Sequence, residues 1–305
     1  MKQKKNKFYR DGSFHHLYVK AINGNVIFYR LEDYILFYTL FSTLVKRYCI
    51  RTEAFCIMIN HFHACILASS QDILKAFCRD LSSVFTLDYN DEYHLKGKLL
   101  MPCGYAAKSS GKQHRSCLIY IANNPSSGRM VKSAIMYRWN LLAYAQSKNP
   151  FSDKLVKRNC RFRMRCSLAI VDGSYRRGQY LNYKLLESIF QSLSPKERLQ
   201  MIDYIIVKYY FLDVKSFISH FGSLDNALIA VDSSAGSEYV FFEPWEDYSV
   251  YSSMLEATLK SGLDIKRFRF HEMSQGNLMH LRGMLSCIPG VTNKHLARFL
   301  HERDL

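Results

Sequence analysis

The segment FCIMINHFHACIL, residues 55–67, constrains the fold more than any other stretch of the chain. With its flanks it forms an apolar run over 52–68, long for one strand, since strands usually span about 5–6 residues. Asn60 tolerates turn conformations, so Ile59-Asn60 can close a tight hairpin between strands over 52–58 and 61–68. Joined so closely, the two strands must lie side by side and antiparallel. Upstream, residues 14–28 predict a strand, a turn at Asn23-Gly24-Asn25 and a short extended return. Tyr34, Ile35, Tyr38, Phe41, Leu44 and Val45 recur at helical spacing and predict a helix over 31–48. Downstream, a helix over 71–93, a strand over 98–107 and a helix over 113–123 stopped by Pro125 complete the order. The sequence β-α-β-β-α-β-α predicts an α+β fold, a ferredoxin-like split βαβ antiparallel sheet with an added helix.

Beyond residue 150 the pattern changes. The segment DKLVKRNCRFRMRCSLAIVDGSYRRGQY carries eight Lys/Arg against two Asp. It reads as a basic linker over 149–182 between a first domain, 1–148, and a helical C-terminal domain, 183–305. Lys157, Arg158, Arg161, Arg163, Arg165, Arg176 and Arg177, interleaved with Phe and Tyr, suit a strip that grips phosphates; a solvated linker is the plainer alternative. The formal net charge of the whole chain, +16, also points to a polyanion, most commonly nucleic acid. No apolar stretch reaches the roughly 18 residues that a spanning helix needs, so no membrane partner is expected. The N-terminus MKQKKNKFYR lacks the apolar core of a signal peptide and reads as a solvated arm touching phosphates. Nine scattered cysteines with no Cys-x-x-Cys pair suit a reducing cytoplasm.

His61 and His63 carry the chemistry. Residues two apart on a strand share a face, so both imidazoles project together and can chelate one divalent ion. The same spacing also suits two half-buried histidines bonded locally. Two histidines leave a metal under-coordinated, and Asp88, Asn90, Asp91, Glu92, His94, His114 and Asn124 are all candidate third ligands. GYAAKSSGK, from Gly104 to Lys112, is not a phosphate-binding loop, because six residues separate its glycines and Gln113 stands where Ser or Thr is needed.

His61-Phe62-His63 fits the His-hydrophobic-His signature of single-strand DNA endonucleases with a tyrosine nucleophile. CIMINHFHACI resembles the CLMPNHFHLLI segment of the IS200/IS605-like transposases, the REP-associated tyrosine transposases in particular. His16-Leu-Tyr-Val-Lys20, Ile27-Phe28 and Glu32-Asp33 resemble that family's opening His-x-x-x-Arg, Ile-Phe and Glu-Asp. Tyr89-Asn90, ahead of Leu95-Lys96-Gly97, resembles its Tyr-Asn...Gly stretch, and Tyr120-Ile121-Ala122-Asn123-Asn124-Pro125 matches its Tyr-Ile-x-x-Asn-Pro. The motifs keep the family order over roughly residues 14 to 145.

The resemblance implies a transposase or single-strand DNA endonuclease acting through a 5′-phosphotyrosine, with single-stranded, hairpin-forming DNA as partner. It places Tyr120 as nucleophile, with Asn124 joining His61 and His63 around Mg²⁺ or Mn²⁺, and puts Lys20 on DNA. A residue before proline is pushed away from α geometry, so Asn124 is expected at the very end of its helix, with Asn123 as fallback. Departures are Ile59 where the family has Pro, Lys20 where Arg is usual, and Gly97-Lys98-Leu99-Leu100 where the family has Gly-His-Leu-Phe. A domesticated, non-catalytic DNA-binding copy, a replication initiator or relaxase, and an unrelated His-x-His hydrolase remain as alternatives; monomer and homodimer are both open. At the C-terminus, LRGMLSCIPGVTNKHLARFLHERDL resembles the start of a helix-turn-helix. Gly290 would turn the chain, Thr292 cap the second helix, and Leu296, Ala297 and Leu300 pack inward. That helix is expected to run to Arg303 as a DNA reader, as the stub of a longer motif, or as a plain closing hairpin.

Overall fold

Strands β3 (Arg51–Ile57) and β4 (His61–Leu67) form the expected hairpin, with Met58 N donating to His61 O at 2.8 Å across the turn. The computed structural model describes residues 7–233, 247–263 and 268–302, so most of the expected basic arm lies outside the described residues. Strand β2 (His15–Lys20) lies antiparallel between β4 and β5 (Gly104–Ala107), and β1 (Lys7–Phe8) adds a short parallel edge on β5. The sheet order is β1-β5-β2-β4-β3. The four longer strands, interleaved with α1 (Leu31–Arg47) and α2 (Gln71–Tyr93), make the split βαβ arrangement of an α+β fold.

Period-two alternation decides what each face holds. Phe62 of β4 turns toward α1, its ring 4.8 Å from Phe37 and 5.9 Å from Phe41. Phe55, Phe77 and Phe85 extend this aromatic core between the sheet and α1–α2, with centroid spacings of 4.7–5.3 Å. His61, His63 and Cys65 face the other way, toward α3 (Gly111–Ser127).

Three local expectations change. The strand expected over 98–107 shortens to Gly104–Ala107, because Pro102 has no N–H for the ladder; Leu100 keeps one bridge to Ala21. The extended return at 26–28 is not a strand. Ile27 N and Phe28 N both donate to Ile59 O, at 3.1 and 3.2 Å, so the 26–28 segment grips the carbonyl of the hairpin turn. Helix α3 does not stop before Pro125. Ser110 caps it by accepting from Gln113 N, and it runs two residues past the proline, ending where Gly128 N donates to Asn124 O at 2.8 Å. Near a helix end proline removes one backbone bond, and the last turn holds on the others.

The C-terminal region is helical, as expected. Within the segment 149–182, residues Phe162–Arg176 form helix α4, which packs on α5 (Tyr183–Phe190) and α6 (Pro195–Lys208). Helix α6 begins with a capping box, in which Ser194 Oγ accepts from Glu197 N and the Glu197 carboxylate accepts from Ser194 N. Helices α7 (Val214–Ser219), α8 (Leu224–Ser233) and α9 (Ser249–Lys260) follow. Helix α1 packs directly on α5 and α6. Buried Asp33 fastens this joint, accepting from Tyr29 N (2.9 Å), Arg30 N (2.8 Å), Tyr93 Oη (2.8 Å) and Tyr183 Oη (2.8 Å). Burial outweighs these donors and pushes the Asp33 carboxyl up to about 6.

Helices α10 (Gln275–Ser286) and α11 (Asn293–Leu300) flank a turn in which Gly290 has φ +84° and Thr292 caps α11. Leu296, Phe299 and Leu300 are buried, whereas Ala297, expected inward, is only half-buried. Helix α11 docks on the 26–29 segment: Val26 N donates to Arg298 O at 3.0 Å and Tyr29 Oη to Phe299 O. Residue 303, the expected end of this helix, lies outside the described residues.

Candidate active site

The face of the sheet under α3 gathers histidines from adjacent strands. In the ladder, Lys20 stands opposite His61, Tyr18 opposite His63, and His16 opposite Cys65, so these side chains share that face. The His61 and His63 rings lie 4.9 Å apart at 83°. His63 Nδ1 meets His16 Nε2 at 2.9 Å, and His61 Nδ1 lies 2.6 Å from Asn60 Oδ1. An amide oxygen only accepts, so His61 Nδ1 carries the proton and Nε2 carries the lone pair. Both rings are thus held through Nδ1, the kind of contact that fixes the orientation of an imidazole.

Burial sets the charge. All three imidazoles are nearly inaccessible. Desolvation, then repulsion by His63 and by nearby cations, drives His16 and His61 well below the ordinary histidine range. Desolvation and the Lys20 ammonium bring His63 down to about 3. Near neutral pH the three rings are therefore uncharged, the state in which imidazole binds a cation.

Helix α3 lays Tyr120 over this cluster, its ring 5.3 Å from His63 and 5.6 Å from His16, edge-on to both. Tyr120 is half-buried. One turn on, Asn124 donates Nδ2 to Tyr120 O at 2.8 Å, which leaves Oδ1 as the amide atom available to a cation. The fallback Asn123 is buried. Neutral imidazoles and amide oxygens are donor types that suit a divalent ion without selecting which one.

The remaining third-ligand candidates divide by location. Asp88, Asn90, Asp91 and Glu92 are on α2, across the sheet from the histidines, and His94 caps its end. Glu92 pairs with Arg30 at 2.6 Å, His94 with Glu272 at 2.5 Å, and Asn90 donates to Gly97 O. His114 is on the α3 side, but it joins another group. Among the described residues, one set of His, Cys, Asp and Glu side chains has its ligand atoms within 4.8 Å of one another: Glu53, Cys65 and His114.

The sequence reading gave four contributors no role beside the histidines. His16 was legible only as part of a motif, yet it orients His63. Asn60, chosen for its turn propensity, holds His61 and also donates to Gly24 O at 2.9 Å. Tyr18 lies over Gly104, where a Cβ would fall 2.6 Å from its hydroxyl. Tyr248 reaches in from just ahead of α9, its ring 5.6 Å from His61, and no local signal marked it.

The basic residues divide likewise. Lys20 is half-buried beside the histidines. Lys157 pairs with Asp172 at 3.3 Å and Arg161 with Glu197. Arg163 donates to Ser192 Oγ (2.8 Å), Arg165 to Cys160 O (3.0 Å) and Arg177 to Gln179 Oε1 (2.9 Å). Arg158 and Arg176 are exposed. No helix among the described residues is long and apolar enough to cross a membrane.

No family model matches the chain, and no curated protein matches it. Among solved structures the chain is similar to a REP-associated tyrosine transposase bound to a REP hairpin, at 17% identity and a TM-score of 0.40, over 47% of this chain and 84% of that one.

Proposed function

We propose that the protein is a metal-dependent, single-strand DNA transposase or endonuclease in which Tyr120 is the nucleophile. One observation carries the reading: the tyrosine that the sequence motif singles out, 57 residues after His63 in the chain, stands 5.3 Å from the His63 ring. A divalent ion, Mg²⁺ or Mn²⁺, held by His61, His63 and Asn124 would supply Lewis-acid polarisation of the scissile phosphate. Asn60 and His16 fix the two imidazoles, and the packing of α3 on β3 and β4 fixes Tyr120 against them.

A phenol has an ordinary pKa near 10 and is a weak nucleophile while protonated. Tyr120 Oη attacks phosphorus as its proton leaves to water, the P–O3′ bond breaks, and the 3′ oxygen gains a proton. The product is a 5′-phosphotyrosine, which keeps the phosphodiester bond energy for rejoining. Lys20, with exposed Arg158 and Arg176, would contact phosphates of single-stranded DNA, for which a hairpin is the substrate to try first.

The test is covalent capture. The full chain is incubated with a labelled hairpin carrying a single-stranded flank and Mn²⁺, then denatured. An adduct absent in Tyr120→Phe, in His61→Ala and with chelator is expected. Cleavage that persists in Tyr120→Phe would overturn the tyrosine mechanism. Tight binding of the hairpin with no cleavage by the wild type would favour a non-catalytic DNA-binding protein.

A further inference from the structure

A β-bulge builds a second cluster beside the first. Thr52 pairs with Ile66 and Ala54 with Cys65, so Glu53 is the extra residue of β3 and lies with Ala54 opposite Cys65. Glu53 is 1% exposed and Cys65 0% exposed. Ser216 Oγ donates to Glu53 Oε1, which turns Oε2 inward. There Oε2 meets His114 Nε2 at 2.6 Å and His220 Nε2 at 3.4 Å. Glu53 Oε2 and His114 Nε2 face each other without the alignment of a hydrogen bond. The two imidazoles are 4.5 Å apart, and Phe14 stacks on His114 at 4.7 Å. Thus a carboxylate, a thiol and an imidazole from β3, β4 and α3 converge within 4.8 Å of one another, and the imidazole of His220, at the end of α7, stands beside the carboxylate.

We infer that Glu53, Cys65 and His114, with His220 drawn in from beside the Glu53 carboxylate as fourth ligand, form a structural site for a thiolate-preferring divalent metal of the zinc class, separate from the His61–His63 pair. Sulfur, nitrogen and oxygen donors in fours suit tetrahedral zinc, whereas an all-oxygen shell suits magnesium. Binding converts the Cys65 thiol to thiolate and releases its proton to water. The first turn of α3, which carries His114, is then tied to the sheet and to α7, and Tyr120 lies further along that same helix. In the metal-free protein the same groups make a buried carboxylate–imidazole cluster.

The experiment uses the full chain stripped with a chelator and titrated with Co²⁺ alone, followed by optical absorption and by elemental analysis after Zn²⁺ exchange. Expected are an intense near-ultraviolet thiolate-to-cobalt band, Zn²⁺ retained at one ion per chain after desalting, and a rise in unfolding temperature on adding Zn²⁺. The band should vanish in Cys65→Ser and survive in the double variant His61→Ala/His63→Ala. His114→Ala and His220→Ala serve as independent ligand deletions should Cys65→Ser fail to fold, and each should lower zinc retention at least tenfold. Absence of the band in wild type, or its loss in the His61/His63 double variant, overturns the separate site. So does zinc retention unchanged by both His114→Ala and His220→Ala.

Discussion

The buried histidines make the protein's stability depend on pH in a window where few other groups titrate. In the unfolded chain a histidine titrates near 6.5. In the folded protein His63 is depressed to about 3, and His16 and His61 also lie well below the ordinary value. Because these folded values are lowered, the stability they contribute is complete above about 6.5 and is lost as pH falls toward the folded value. Between roughly pH 7.5 and roughly pH 5, each imidazole that charges only when unfolded costs about 2 kcal/mol. His16 and His61, also lowered by burial, act in the same direction. Asp33 works in the opposite direction: its carboxyl is raised to about 6, so its own penalty relaxes below that pH and returns roughly 1 kcal/mol by about pH 5. His63→Gln removes one titrating ring and keeps a polar partner for His16. Urea unfolding in chelator, at several pH values across the window, measures the difference. The wild type should lose stability as pH falls through this window, and His63→Gln should lose about 2 kcal/mol less. A variant with the same pH slope as wild type would refute the assignment of His63 as a buried, neutral imidazole.

Asn60→Ala removes the acceptor that orients His61 and the donor to Gly24 O. It should weaken Mn²⁺ binding by about 10–100-fold in calorimetric titration, and an unchanged affinity would contradict the orienting role. Gly104→Ala drives a Cβ into the Tyr18 ring and should cost about 1–3 kcal/mol in urea unfolding, with most of the loss relieved in a Tyr18→Ala background. Additive losses in the double variant would locate the strain elsewhere. Asp33→Ala leaves the donors of Tyr29, Arg30, Tyr93 and Tyr183 without their acceptor and should destabilise by about 3–5 kcal/mol. A loss under about 1 kcal/mol would mean that these four groups find other partners.

Much of the first 125 residues was legible because it is built from local periodicities. The 52–68 run forms its hairpin at Ile59-Asn60, and α1 and α2 fall where apolar spacing places them, since burying one face of each element is a local demand on sequence. The His-x-His pair shares a face because strand geometry alone requires it. Boundaries that depend on neighbours were not legible. Helix α3 passes through Pro125 because its final turn is held by bonds that a propensity rule does not count. Basic residues 157–165 looked like a free strip, yet Asp172 and Glu197, distant in sequence, neutralise two of them.

What the sequence determined by itself was the order of elements, the pairing of His61 with His63 and the choice of Tyr120 through a motif. Only the tertiary structure brought His16 and Tyr248 to those histidines, set the bulge that turns Glu53 toward Cys65, and seated α11 on residues 24–29. The physical reason is range. Periodicity and capping act within a few residues, whereas desolvation, ring orientation and metal-ligand convergence depend on atoms that meet only after the sheet and α3 have closed over them.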